Sequence, residues 1–183
     1  LVLIIIKQTI DDIRIKNKNQ VLEKKAYVDL QTGLPNKSKC EEMLNNYEYI
    51  TEPMGFVMFD LNNLKCANDT YGHAVGDQLI TNFARLLRNA IPAKDFVGRY
   101  GGDEFIAIIT QTTKNEILKI MDEVHDEVRH FNENIHKVEV SYAYGYAFSE
   151  DYADCTIKTL FDKADKHMYE NKAIEKAKFE AIV

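Results

Sequence analysis

The alternation of apolar and polar positions divides the chain into segments of different period. Residues 7–28 contain no Gly or Pro and are rich in Lys, Asn, Gln and Glu, and Ile6, Ile10 and Ile13 are spaced four and three apart, which predicts a helix. Continuing that spacing passes through Asn17, Gln20 and Lys24 before Tyr27, so the seam is polar in its middle. It reads either as a solvated linker helix or as a weak parallel coiled coil in which a buried Asn fixes the register. Residues 29–36, containing Thr32-Gly33-Leu34-Pro35, form a turn-rich break. The chain is therefore expected to divide into an N-terminal helix over 1–28 and a globular domain over 29–183.

Beyond the break the period changes repeatedly. A helix is expected over 36–50. Met54 to Phe59 is a short apolar run ending in Asp60, which reads as a buried strand with a polar tip. Leu79, Ile80, Phe83, Leu86 and Leu87 follow helical spacing within 73–89. Phe96 to Tyr100 and Phe105 to Ile109 predict two strands joined through Gly101-Gly102, a pair that tolerates the positive φ angles of a tight hairpin. Residues 115–131 are again helical, 138–148 read as a strand, and 156–172 as a last helix. The order β-α-β-β-α-β is that of a ferredoxin-like α+β sheet with helices on one face. The stripe Val138, Val140, Tyr142, Tyr144, Tyr146 and Phe148 has the period of a strand packing one face on a core, rather than of a stacking platform for bases.

Length and composition narrow the class. At 183 residues and 45% hydrophobic content, the chain suits one domain with a sizeable core and one appendage. A formal charge of −6 disfavours a surface for polymeric nucleic acid. Cys40, Cys66 and Cys155 are odd in number and widely spaced, which points to neither a disulfide framework nor a zinc site and fits a reducing cytoplasm. The apolar run Leu1 to Ile6 is shorter than the roughly 20 residues that span a bilayer. It reads equally as the cytoplasmic end of a longer membrane helix or as the start of a packed one.

The candidate chemistry gathers around carboxylates. Asp103 and Glu104 follow the Gly101-Gly102 turn, where a backbone can approach a ligand closely. Pairing the first strand against this hairpin would bring Asp60 to Asp103 and create a hard-metal site. Magnesium suits it, since that ion takes one or two carboxylates together with water and substrate phosphates.

These residues resemble the GGDEF family of diguanylate cyclases, whose name is the string Gly101-Gly102-Asp103-Glu104-Phe105. Asp29 to Asn36 is similar to the family's D-x-L-T-G-L-x-N opening, Asp60 to Asp69 to its D-x-D-x-F-K-x-x-N-D stretch, and Gly72 to Asp77 to its G-H-x-x-G-D motif. Ala164-Asp165 with Tyr169 and Lys172 is similar to its closing helix. The resemblance covers about 29–176. It implies a nucleotidyl cyclase or palm-like fold and the condensation of two GTP molecules into cyclic di-GMP and pyrophosphate across a homodimer.

By the same resemblance, Asp60, the Leu61 carbonyl, Asp103 and Glu104 hold Mg2+, with Mn2+ a possible substitute. Asp103 is the proton acceptor, and Glu104 supports the metals or the attacking hydroxyl. Lys65 stabilises developing phosphate charge. Asn68 and Asp77 read guanine, whose N1–H and N2–H2 donors a carboxylate accepts together, His73 contacts substrate at a helix start, and Lys172 and Lys176 reach terminal phosphates. An upstream sensor or membrane segment is the expected source of signal. The alternatives are a silent GGDEF module, a cyclic GMP-AMP synthase and a palm-type polymerase. Several residues depart from the motifs: Gln31 stands for Leu, Asn62 for Asp, Leu64 for Phe, Cys40 for Phe, Ala143 for Ser and Lys176 for Arg. Pro92 takes the Arg position of the R-x-x-D product-inhibition motif that ends at Asp95, so no feedback inhibition is expected there.

Overall fold

The computed structural model describes residues 2–47, 49–134 and 138–180, with the side chains of 2–5, 17, 19–25 and 174–180 outside the described set. Helix α1, Val2–Tyr27, contains no helix breaker and runs into the predicted turn. Ile6, Ile10, Ile13 and Ile15 along it are exposed. The seam positions Asn17, Gln20 and Lys24 lie outside the described side chains. The turn is built on Asp29, whose carboxylate accepts from the Thr32 backbone N–H at 2.9 Å and the Thr32 hydroxyl at 2.7 Å. Asn36 then joins two helices: its Nδ2 donates to Ala26 O at the end of α1 (2.9 Å), and its Oδ1 caps Lys39 N at the start of α2, Lys37–Asn46 (3.1 Å).

Strand β1, Met54–Leu61, is buried at every position. It is followed by α3, Leu64–Tyr71, and α4, His73–Ala90, on either side of Gly72 at φ 87°. Next come β2, Phe96–Arg99, β3, Glu104–Thr110, α5, Lys114–Glu133, β4, Tyr142–Phe148, and α6, Ile157–Glu180. The antiparallel sheet has the order β2-β3-β1-β4, the arrangement expected of a βαββαβ unit.

The two helices of the βαββαβ unit, α4 and α5, share one face of the sheet as expected, and the additional helices α2 and α6 cover the other, so the sheet is flanked by helices on both sides. Val57, Phe59, Phe105 and Ala107 pack with Phe83, Leu87 and Val124 of α4 and α5. The opposite face, with Phe56, Met58, Ile106, Ile108 and Ala143, is covered by Leu160, Ala164 and Met168 of α6 and by Cys40 of α2. A strand that is apolar throughout, as β1 is, belongs to a sheet covered on both sides. The aromatic stripe of β4 packs as core: Tyr142, Tyr144 and Tyr146 lie against the α4–α5 layer. The strand starts later than expected. Val140, in the preceding segment, bonds instead to the side chain of Asn132, which accepts from its N–H and donates to its carbonyl, each at 2.9 Å. Among the described residues no helix is long and apolar enough to cross a membrane.

Candidate active site

The register of β1 on β3 sets the first half of the site. Asp60 lies directly opposite Glu104, and the Leu61 N–H donates to the Asp103 carbonyl at 2.9 Å. The carboxylate facing Asp60 across the ladder is thus Glu104, with Asp103 one residue beyond it. Because side chains alternate along a strand, Asp60 and Glu104 share the face of Phe56, Met58, Ile106 and Ile108, which α6 covers. That helix is fastened to β4 by Asn171 Nδ2, which donates to Tyr144 O at 2.8 Å, and by His167 Nδ1, 2.9 Å from Tyr146 O. The next residue, Lys172, reaches Asp60 Oδ1 at 2.6 Å.

Asp60 is only 8% exposed, and its lysine partner stands where a cation is needed. Glu104, half-buried, has its pKa raised above the ordinary glutamate value by burial and by the charges of Asp103, Asp60 and Asp165, which outweigh Lys172. Such an excess of carboxylate over ammonium is the electrostatic condition that a divalent cation relieves.

The turn between β2 and β3 differs from expectation. Among the described glycines only Gly33 and Gly72 have positive φ, so Gly101 and Gly102 do not form a positive-φ hairpin. A side chain at Gly101 would instead meet the Glu104 side chain and push its carboxylate aside, so glycine there leaves the carboxylate in place. The turn is held by Arg99, whose Nη2 donates to Gly102 O at 2.7 Å and whose Nε donates to Gly101 O at 3.2 Å. Its Nη1 reaches Asp29 Oδ1 at 3.1 Å and Gln31 Oε1 at 2.7 Å. One guanidinium therefore joins the glycine turn to the turn that ends α1.

The second half lies at the α3–α4 junction. Asn68 on α3 packs against Gly76 on α4, where any Cβ would strike its carboxamide. Asn68 Oδ1 is buried against Gly76 and has no hydrogen-bond partner among the described residues. His73 is the first residue of α4, and Asp77 stands four residues on, so both occupy one exposed helix face. Asp77 Oδ1 accepts from Gln31 Nε2 at 2.9 Å. Lys65 is exposed near the start of α3 and forms no ion pair among the described residues. The side chain of Lys176 lies outside the described set.

Asp60, Glu104, Asp103 and Lys172 are thus brought together, and Asn68 meets α4 close to Asp77. Among the described residues no three acid, histidine or cysteine side chains converge to cage a metal ion by themselves. The donors at the end of β1 are nevertheless hard oxygens in the small number that magnesium takes from protein when phosphates complete its shell.

The profile of one family, described as diguanylate cyclase, GGDEF domain, matches residues 26–178. The chain belongs to the GGDEF family. Diguanylate cyclase A of Treponema denticola is 27% identical to this GGDEF chain over 165 residues, covering 85% of the chain and 44% of that protein. Diguanylate cyclase DgcZ of Escherichia coli is 29% identical over 161 residues, covering 85% and 53%. The chain spans about half the length of these curated relatives. The GGDEF domain of TpbB, also called YfiN, from Pseudomonas aeruginosa superposes with TM-score 0.71 at 28% identity, covering 80% of this chain and 89% of that one. The coiled coil and GGDEF domain of DgcB from Caulobacter crescentus, solved with c-di-GMP, shares the fold at TM-score 0.80 and 21% identity over 92% of each chain.

Three residues at this GGDEF site were missed in the sequence: Arg99, Asp165 and the contact made by Gln31. The first two stand inside or beside recognised motifs, and a basic residue next to a turn of exposed carbonyls was the available signal for Arg99. Nothing local in the sequence announced the pairing of Gln31 with Asp77.

Proposed function

We propose that this chain is the catalytic domain of a diguanylate cyclase, joining two GTP molecules into cyclic di-GMP with release of two pyrophosphates. The observation that carries the reading is Asp60 facing Glu104 at the end of β1, with Asp103 beside them and the Asn68–Asp77 pair on the next two helices. Asp60, Leu61 O, Asp103 and Glu104 are the residues that would hold Mg2+, or Mn2+ in its place. The ion supplies charge neutralisation at the phosphates and acidity to the attacking hydroxyl.

In each step a 3′-hydroxyl oxygen bonds to the α-phosphorus of the other nucleotide, the bond to the β-phosphate breaks, and pyrophosphate leaves. Asp103 takes the hydroxyl proton, with Glu104 beside it. Lys65 and Lys172 meet phosphate charge, and Lys176 extends the basic end of α6. His73 contacts substrate where α4 begins. Asp77 accepts both donors of guanine, and Asn68 supplies a second base contact, so ATP is rejected.

One chain offers one set of carboxylates and one base-reading pair, whereas the reaction needs two nucleotides facing each other. A homodimer follows, with Ile6, Ile10 and Ile13, exposed on α1, at its seam. We take residues 1–28 as the signalling helix and 29–183 as the catalytic domain, with the sensor elsewhere in the full protein. We read the domain as cytoplasmic, a reading that a nucleotide substrate and three unpaired cysteines support. The net charge of −6 supports a nucleotide substrate over polymeric nucleic acid. Pro92 removes the cation of the usual product-inhibition motif, so turnover proceeds without that brake.

The test is incubation with GTP and Mg2+ across protein concentrations, with chromatography of the products. The expected result is cyclic di-GMP and pyrophosphate, a rate rising faster than protein concentration, and a loss of about 100-fold or more in Asp103→Asn. Absence of both products at high protein concentration overturns the reading in favour of a silent domain. Equal ATP in the same mixture reveals any hybrid cyclic GMP-AMP.

A further inference from the structure

At Gln31, where the motif it resembles has leucine, the chain carries an amide between two charged groups. Gln31 Oε1 accepts from Arg99 Nη1 at 2.7 Å, and Gln31 Nε2 donates to Asp77 Oδ1 at 2.9 Å and to Asp77 O at 3.3 Å. The orientation of the amide is dictated chemically. A guanidinium only donates and an ionised carboxylate only accepts, so the oxygen must face Arg99 and the nitrogen Asp77. Leucine can do neither.

We propose that Gln31 is a positioning residue for guanine recognition, orienting the Asp77 carboxylate while Arg99, anchored on the carbonyls of Gly101 and Gly102, holds the amide oxygen. Asp77 is exposed on α4, and among the described residues Gln31 is the hydrogen-bond partner of its carboxylate. Its two oxygens have about four lone-pair positions. Gln31 fills one on Oδ1, leaving positions on both oxygens for the two donors of guanine. The relay Gly102–Arg99–Gln31–Asp77 also means that one guanidinium sets the base-reading acid relative to the turn bearing Asp103 and Glu104. This inference rests on the reading of Asp77 as the guanine contact.

The experiment compares GTP with ITP, which lacks the exocyclic amine, in the whole chain. For Gln31→Leu the expected result is a KM for GTP raised about 5- to 10-fold, kcat within about 2-fold, and a smaller change for ITP. The preference for GTP over ITP then falls about 3-fold or more. Gln31→Glu keeps an acceptor for Arg99 but loses the donor to Asp77, so it is expected to lose the same preference while keeping thermal stability. That separates positioning from support of the turn. Wild-type preference in either variant overturns the proposal, provided Asp77→Ala collapses it. If Asp77→Ala itself leaves the preference intact, the reading of Asp77 fails, and with it the proposal.

Discussion

Lys172 holds its ammonium 2.6 Å from the Asp60 carboxylate, inside the group of oxygens proposed to bind metal. The lysine was expected among substrate phosphates, and its position here shows what the carboxylates require before a nucleotide arrives. Asp60 is buried and Lys172 is half-exposed, so removing the lysine leaves a buried charge without its partner. In Lys172→Ala the metal-free domain is expected to lose about 1 kcal/mol, roughly 2–4 °C in Tm. Magnesium should restore part of that loss, and a wider gap to wild type with magnesium present contradicts the shared-site reading. Calorimetric melting with and without the ion measures both.

Asn62 occupies the second acid position of its motif, and the structure gives it a different task. Its Nδ2 donates to Ser141 Oγ at 3.1 Å and its backbone N–H to Ser141 O at 2.8 Å, tying the end of β1 to the segment before β4. An aspartate there can still accept from the serine hydroxyl. Asn62→Asp is therefore expected to change turnover by less than about 5-fold, against a loss of about 100-fold or more for Asp60→Asn. Steady-state rates of the two variants at saturating magnesium decide it.

The Asp29–Arg99 pair ties the end of α1 to the glycine turn and carries a pH signature. Burial alone would raise the Asp29 pKa, but the Thr32 hydroxyl and N–H, together with Arg99, hold it below the ordinary aspartate value of 3.8. A lowered folded pKa adds stability that is complete well above 3.8 and is lost as pH falls through the folded value. Asp29→Asn should lower Tm at neutral pH by about 2–4 °C, corresponding to about 1 kcal/mol, and match wild type in strong acid. A difference that persists at the lowest pH assigns the effect to shape instead of charge. Melting curves across pH measure it.

Most elements were legible because their periods are long or unbroken. The apolar run of β1, the helical spacing of α4 and the two strands around Gly101-Gly102 all stand where the pattern puts them. The eight-residue helix α3 was not separated from its motif, since so short an element completes barely two turns; Gly72 just after it was the stop signal. Val138 to Ser141 continue the alternation of β4 without joining the sheet, because the Asn132 side chain replaces a neighbouring strand at Val140. Within the site the ligand types were readable from order and spacing. The facing of Asp60 and Glu104 depends on register, and the Gln31–Asp77 contact spans 46 positions, so both needed coordinates.

Asp95 shows why the missing arginine at Pro92 is not a simple loss. Its Oδ1 accepts from the Thr110 N–H at 3.1 Å and lies 3.4 Å from the Thr110 hydroxyl, and the residue is only 6% exposed. The carboxylate is turned inward to close the end of β3. Calorimetry is expected to find no cyclic di-GMP binding that depends on Asp95, and Pro92→Arg alone should not create it. Asp95→Ala should instead cost about 2 kcal/mol, roughly 4–8 °C in Tm. Tight product binding abolished by Asp95→Ala would refute this.

Gly76 offers a separation of stability from recognition. It lies within α4, where replacing glycine by alanine ordinarily stabilises a helix by about 0.5–1 kcal/mol. Here the added methyl would enter the space of the Asn68 carboxamide, whose Oδ1 is buried and unpartnered among the described residues. The side chain of Asn68 must then swing away from the position in which it is proposed to meet guanine. Gly76→Ala is expected to raise KM for GTP about 10-fold with kcat within about 3-fold, while Tm holds or drops by no more than about 2 °C. Asn68→Ala, which removes the carboxamide but leaves room for the methyl, should raise KM to a similar degree, and adding Gly76→Ala to it should change KM no further. Additive losses in the double variant would show that the glycine serves the packing of α3 on α4 and not the base contact.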